Sequence, residues 1–471
     1  MQEKMPSQLG KVSTGIKGLD EITGGGLPAG RTTLLCGGPG CGKTLLATSF
    51  LVQGARNGEP AVFVTFDETA ADLDINSRSL GYDLAGLQAK NLLAIDYIHI
   101  DRQEIHETGE YSLDGLFIRL GFAIDQINAR RIVLDGVDTL FAGLPNEVIL
   151  RSELRRLFGW FKDRGLSSII TAERGESTLT RHGIEEYVSD CVIVLGQRVQ
   201  QELATRRLRI VKYRGSVHGA NEYPYLIEEG GIKLLPVTSL GLAHAVSSER
   251  ISTGIAGLDR MLEGKGFYRG TSILITGGPG TGKTSIGAQF ALAATGRGER
   301  CLYFAFEESE PQLVRNMRSI AIDLQTAIEK ERLSVVSVRP TTYGLEMHLT
   351  QMMHLVQDMK PDVIVVDPLS ALEGGGSVAQ ASMMVLRLVD YLKSGGATAL
   401  YLSVQEGDDK ANLNISSLMD SWIAIKNVQK EHDLERQLFI VKSRGMSHSA
   451  DVRKLSIGAN GVQVCERKGA G

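Results

Sequence analysis

The stretch GGPGCGKT occupies residues 37–44, and GGPGTGKT occupies residues 277–284. Both fit the pattern G-x-x-x-x-G-K-[ST], through Gly37, Gly42, Lys43 and Thr44 in the first copy and Gly277, Gly282, Lys283 and Thr284 in the second. Each copy follows an apolar run (TTLLC, TSILIT) and precedes a helix-like segment (LLATSFLVQGA, SIGAQFALAA). In that context the glycines let the backbone curl so that its N–H groups face phosphate oxygens, and the following helix adds its positive end. The residues expected to cradle phosphate are Gly37, Gly38, Gly40, Cys41, Gly42, Lys43, Thr44 and Leu45. Their counterparts are Gly277, Gly278, Gly280, Thr281, Gly282, Lys283, Thr284 and Ser285. The lysines neutralise β- and γ-phosphate charge, and the Thr44 and Thr284 hydroxyls ligate Mg²⁺.

Working outward, the two halves match block by block. STGIKGLD (13–20) pairs with STGIAGLD (252–259), VFVTFDET (62–69) with LYFAFEES (302–309), RIVLDGVDTL (131–140) with VIVVDPLSAL (363–372), and RIVKYRGSVH (209–218) with FIVKSRGMSH (439–448). A repeat this long means duplicated domains rather than a solenoid. The expected boundaries are a first domain over 1–236, a linker over 237–250 and a second domain over 251–471. Near-continuous apolar runs such as TTLLCG, AVFVTF and SSIITAE alternate with amphipathic segments such as SELRRLFGWFKDRG. This predicts an α/β fold: two tandem P-loop nucleotide-binding domains, each a mostly parallel sheet flanked by helices. The runs RLRIVKYRG and EYPYLI read as antiparallel strands closing the first sheet.

Composition excludes several classes. An apolar fraction of 42% and a charged fraction of 23% belong to a soluble globular chain. With 51 basic and 55 acidic residues the net charge is −4, so bulk attraction to nucleic acid or an anionic membrane is not expected. No run of 18 apolar residues exists, and MQEKMPSQLGK is not a secretory signal. Cys36, Cys41, Cys191, Cys301 and Cys465 are odd in number and show no CxxC, as in a reducing cytoplasm.

Two further acidic elements complete the chemistry. Asp135 ends RIVLD and Asp367 ends VIVVD, where an acid reaches the Mg²⁺ shell. Asp67-Glu68 and Glu307-Glu308 follow the strand after the loop helix, where carboxylates orient or deprotonate an attacking group. Adjacent strand residues point to opposite faces. One acid of each pair is therefore expected at the γ-phosphate, with the other, Glu307 included, serving the metal or a hydrogen-bond network.

The GGPGxGKT loops, the acid pairs in VTFDET and FAFEES and the KxRGxxH blocks together resemble the KaiC family of clock ATPases, over the whole chain. The resemblance implies two tandem RecA-like domains in a two-tiered homohexamer with ATP at subunit interfaces. Lys212, Tyr213, Arg214 and His218 would reach a neighbour's nucleotide in the first tier, and Lys442, Ser443, Arg444 and His448 in the second. Ser79 and Arg436 join the nucleotide contacts. The first domain would hydrolyse ATP, and the second would also phosphorylate itself on Ser416 and Ser417, within NLNISSLMDSW. The family's usual pair there is Ser-Thr. The chain also has Asp67 where clock members carry Glu, and Ile320 where they carry an adenine-facing Trp. It ends soon after KSRGMSH, so the family's partner-binding tail is expected to be shortened or absent. Partners would be clock or signalling proteins. Two other readings share the fold: a DNA-handling RecA-type motor, which would need a basic, aromatic-laced groove, and a nucleotide-switched scaffold with little turnover.

Overall fold

The computed structural model describes residues 9–99, 113–141, 147–175, 179–180, 188–200, 203–234, 246–342, 344–375, 378–404, 415–430 and 433–465. The chain divides into two compact units, changing over near residue 240. Most of the expected linker, residues 237–245, lies outside the described residues.

In the first unit TTLLCG forms the strand Thr32–Gly37, buried along its whole length, as a strand covered on both faces must be. It pairs in parallel with Ser167–Glu173 on one side and Cys191–Gln200 on the other. The parallel series continues through Arg131–Asp135 and Ala61–Thr65 to Leu93–Tyr97. Beyond Cys191–Gln200 lie Leu203–Tyr213, Glu222–Glu228 and Gly231–Leu234, completing nine strands. The last two pairings of this flank are antiparallel, as RLRIVKYRG and EYPYLI suggest. The helix Lys43–Arg56 packs on the sheet through Leu46, Phe50 and Leu51, each almost fully buried.

The second unit repeats this order with Ser272–Gly277 at the corresponding place in another nine-stranded sheet. It pairs in parallel with Thr398–Val404 and Ser421–Lys430. Each phosphate loop therefore leaves the carboxyl end of a strand with parallel neighbours on both sides, the crevice where open α/β sheets bind ligands.

The STGI blocks are structural. Asp20 accepts from Ser13 Oγ (2.6 Å), Thr14 N (2.8 Å) and Thr14 Oγ1 (2.7 Å). Asp259 holds Thr253 in the same way, through N (2.8 Å) and Oγ1 (2.7 Å). A carboxylate bonded to backbone and hydroxyl donors fixes this turn at the entry of each unit.

Candidate functional site: two phosphate cradles

Gly42 precedes the helix Lys43–Arg56 at φ 85°, and Gly282 precedes Lys283–Gly296 at φ 95°, a left-handed backbone that favours glycine. No side chain caps either helix start, so the first-turn N–H groups keep their capacity for an anion. Lys43 Nζ donates to the carbonyls of Gly37 (2.9 Å) and Gly38 (3.2 Å). Lys283 Nζ does the same to Gly277 (2.8 Å) and Gly278 (2.9 Å). Each ammonium thus lies along the inside of its loop. Burial lowers the pKa of Lys283, with Asp367 and Glu307 opposing the shift. At Gly40 and Gly280, both exposed, an added Cβ would meet no atom within 4 Å, so neither position is packed against its unit.

Thr44 Oγ1 donates to Asp135 Oδ2 (2.8 Å), and Thr171 Oγ1 donates to Asp135 Oδ1 (2.6 Å). Burial raises the pKa of Asp135. In the second unit Asp367 accepts from Tyr303 Oη (2.6 Å), and the Thr284 hydroxyl of the loop acts to lower its pKa. Burial pushes the Asp367 carboxyl up to about 6, with the nearby Glu308 and Glu307 adding to the rise. The Tyr303 phenol is raised well above its ordinary value, mainly by burial and then by Asp367. Hydroxyl and carboxylate oxygens paired beside a phosphate loop form a hard-oxygen donor set that fits Mg²⁺.

The acid pairs depart from the strand-alternation expectation. The strands end at Thr65 and Ala305, so Asp67-Glu68 and Glu307-Glu308 lie in the loops beyond them, free of the two-residue alternation. Asp67 and Glu68 accordingly line one cavity of about 350 Å³ together with Lys43, Thr44 and Asp135. Thr139 Oγ1 donates to Asp67 Oδ1 (2.8 Å). Asn76 approaches Glu68 (3.4 Å), and Asn316 approaches Glu308 (3.2 Å).

Arg436 Nε donates to Gly280 O (3.3 Å) within its own loop, and Arg206 does the same to Gly40 O (3.3 Å). Ser79 ends the helix Ala70–Arg78, with its hydroxyl bonded to Asn76 O (2.7 Å).

The KxRGxxH residues lie elsewhere. Arg214 N donates to Asp190 O (2.9 Å), and Asp190 N donates to Thr32 O (3.1 Å), at the amino end of the strand leading to the loop. Arg444 reaches Ser272 O through Asp420 in the same way, with both bonds at 2.8 Å. Ser443 pairs with Ser421, which pairs with Ile273, whereas the loop begins at Gly277, opposite Ile425. Four strand residues separate the two levels, about 13 Å. Lys442, Ser443, Arg444 and His448 therefore sit at the edge of the sheet opposite their own phosphate loop, as do Lys212, Tyr213, Arg214 and His218. The Tyr213 ring is buried and its hydroxyl donates to Gly26 O (2.9 Å).

A family model described as "ATPase: KaiC" matches residues 12–239 and again 251–469. The chain belongs to the KaiC family. The "Circadian clock protein KaiC2" of Synechocystis sp. is 50% identical over 462 residues, covering 97% of this chain and 81% of that protein. The "Circadian clock protein KaiC3" of the same organism is 35% identical, covering 96% of this chain and 91% of its own. The "Circadian clock oscillator protein KaiC" of Synechococcus elongatus is 35% identical, covering 97% and 89%. The two family matches coincide with the two sheets described above, and each contains one GGPGxGKT loop.

Within this KaiC chain Ser416 is 6% exposed, whereas Ser417 is exposed. Arg444 Nη2 donates to Ser417 O (2.7 Å), fixing the serine pair beside the KxRGxxH block. Several residues of the cradles escape a motif reading. Thr171 and Tyr303 are single strand residues, and Thr139 a single residue of the short helix Val137–Phe141, all outside the loops. Arg206 was legible, because it matches Arg436 when the two halves are aligned. No described helix is long and apolar enough to cross a membrane.

Proposed function

We propose that the chain is a KaiC-type Mg²⁺-ATPase that hydrolyses ATP in its first domain and phosphorylates itself on serine in its second. It works as a cytoplasmic homohexamer in a clock-like or signalling role. The observation that carries this reading is the opposition of each KxRGxxH block to its own loop. A cation about 13 Å of strand away from the loop of its own chain serves phosphate only at the loop of an adjoining copy. The serine pair lies at that same far edge, and so it too receives phosphate from a neighbour.

When bound, Mg²⁺ would be held by Thr44 and Asp135 in one cradle and by Thr284, Asp367 and Glu307 in the other, and would neutralise phosphate charge. In the first cradle Glu68 takes a proton from the attacking water while Asp67 is held by Thr139. The water oxygen bonds to the γ-phosphorus as the bond to the β,γ-bridging oxygen breaks, leaving ADP and inorganic phosphate. In the second, Ser417 Oγ takes the place of water and bonds to the γ-phosphorus as ADP leaves, and its proton passes to Glu308 of the neighbour that holds the ATP. Exposure favours Ser417 over Ser416 as the first acceptor. Mass spectrometry after incubation with Mg-ATP is expected to find phosphate on Ser417. A peptide left unmodified beside active phosphate release would remove the autokinase reading.

A further inference from the structure

The metal-side aspartates of the two cradles are held by different second donors. In the first unit Thr171, on the strand Ser167–Glu173, donates to Asp135 (2.6 Å) and accepts from Gly136 N (2.8 Å). In the second unit Pro368 replaces Gly136 and has no N–H to offer. Leu402, fully buried, occupies the place of Thr171. The donor comes instead from the opposite neighbouring strand, Cys301–Ala305, where Tyr303 Oη reaches Asp367 Oδ2 at 2.6 Å. The first unit has Phe63 at that place. Thr171 with Phe63, and Leu402 with Tyr303, are thus two solutions to one need. Each keeps one carboxylate oxygen fixed, and in the first unit the other accepts from Thr44 of the loop (2.8 Å).

We propose that Tyr303 is a positioning residue of the second cradle, holding Asp367 in the orientation that lets Thr284 and Asp367 take Mg²⁺ with ATP. This rests on the reading of the second loop as an Mg-ATP site. Tyr303 is fully buried and its ring packs within the core, so the hydroxyl has no solvent role. A hydrogen bond to a buried carboxylate is strong, and its loss frees the acceptor to rotate. The consequence is confined to one site. In the first cradle Thr171 fills the positioning role, and Asp135 with Thr44 would hold the metal there.

The test is photolabelling of the full-length protein with 8-azido-ATP across a Mg²⁺ titration, followed by peptide mapping that reads the two loops separately. Tyr303→Phe copies the first unit and adds no volume. It is expected to raise the Mg²⁺ midpoint for labelling the second loop about tenfold, the size of one charge-assisted bond, and to leave the first loop unchanged. Tyr303→Phe with Leu402→Thr, which restores a donor from the other strand, is expected to recover most of the loss. An unchanged midpoint in Y303F overturns the inference, as does failure of the double variant to recover while thermal unfolding shows a retained fold. If the wild-type second loop is not labelled at any Mg²⁺ concentration, the Mg-ATP reading fails first and takes this inference with it.

Discussion

Asp367→Asn is expected to stabilise the nucleotide-free second unit. Asp367 is 8% exposed, and its carboxyl is raised from 3.8 to about 6, chiefly by burial. At neutral pH the folded chain therefore holds a charge that the unfolded chain carries more readily. Roughly two pKa units correspond to about 3 kcal/mol against folding. The sign follows from proton binding. Between pH 4 and 6 the folded state keeps the proton and the unfolded state has lost it, so stability from this group falls as pH rises through that window. Below it both states are protonated and the penalty vanishes. Asparagine keeps the acceptor for Tyr303 without the charge. In a unit of this size the melting temperature moves about 2–4 °C per kcal/mol, so a rise of several degrees at pH 7.5 is expected. Trp422, whose indole donates to Thr276 (2.9 Å), reports the second unit in a Trp160→Phe background. The advantage should fade as pH falls towards 4, and Mg-ATP should reverse the ranking by stabilising only the native sequence. A variant that melts at or below the parent at pH 7.5 without nucleotide would show that the buried Asp367 charge carries no folding penalty.

Gly282→Ala is expected to lose nucleotide binding at the second loop and to cost at least about 1–2 kcal/mol. Its φ is +95° and the added Cβ would lie 2.2 Å from Ile457 Cδ1; calorimetry with and without ATP measures both effects. Lys283→Ala should abolish phosphoserine while phosphate release from the first loop continues, read by phosphopeptide mapping beside a malachite-green assay. Ser417→Ala should remove the first phosphate incorporated, whereas Ser416→Ala should leave it in place, as seen in a time course by mass spectrometry.

Much of this arrangement was legible in the residues because it repeats. The loops, the apolar strands that carry them and the acids at strand ends recur in register, and the parallel sheets with antiparallel flanks follow from those runs. Strand alternation failed for Asp67-Glu68, since the strand stops at Thr65 and the pair lies in a loop. The partners of the acids were not legible. Thr139 and Thr171 reach Asp67 and Asp135 only because the sheet brings distant strands side by side. Tyr303 reads in the sequence as one more core aromatic, and only the register of Cys301–Ala305 with Val363–Asp367 puts its hydroxyl on Asp367. The opposition of Arg214 and Arg444 to their own loops likewise needs the antiparallel turn of the last strands, which a motif does not convey.

If each ATP is completed by two copies of the chain, two inactive variants should complement one another when mixed. Lys43→Ala removes the loop cation and Arg214→Ala removes the cation offered to the neighbour, so either alone should lose first-tier hydrolysis, measured in a Lys283→Ala background. Mixed one to one and reassembled, about a quarter of the seams regain both groups from different copies, and hydrolysis should return to that extent. Two inactive variants that stay inactive after verified co-assembly would show instead that each chain completes its own site.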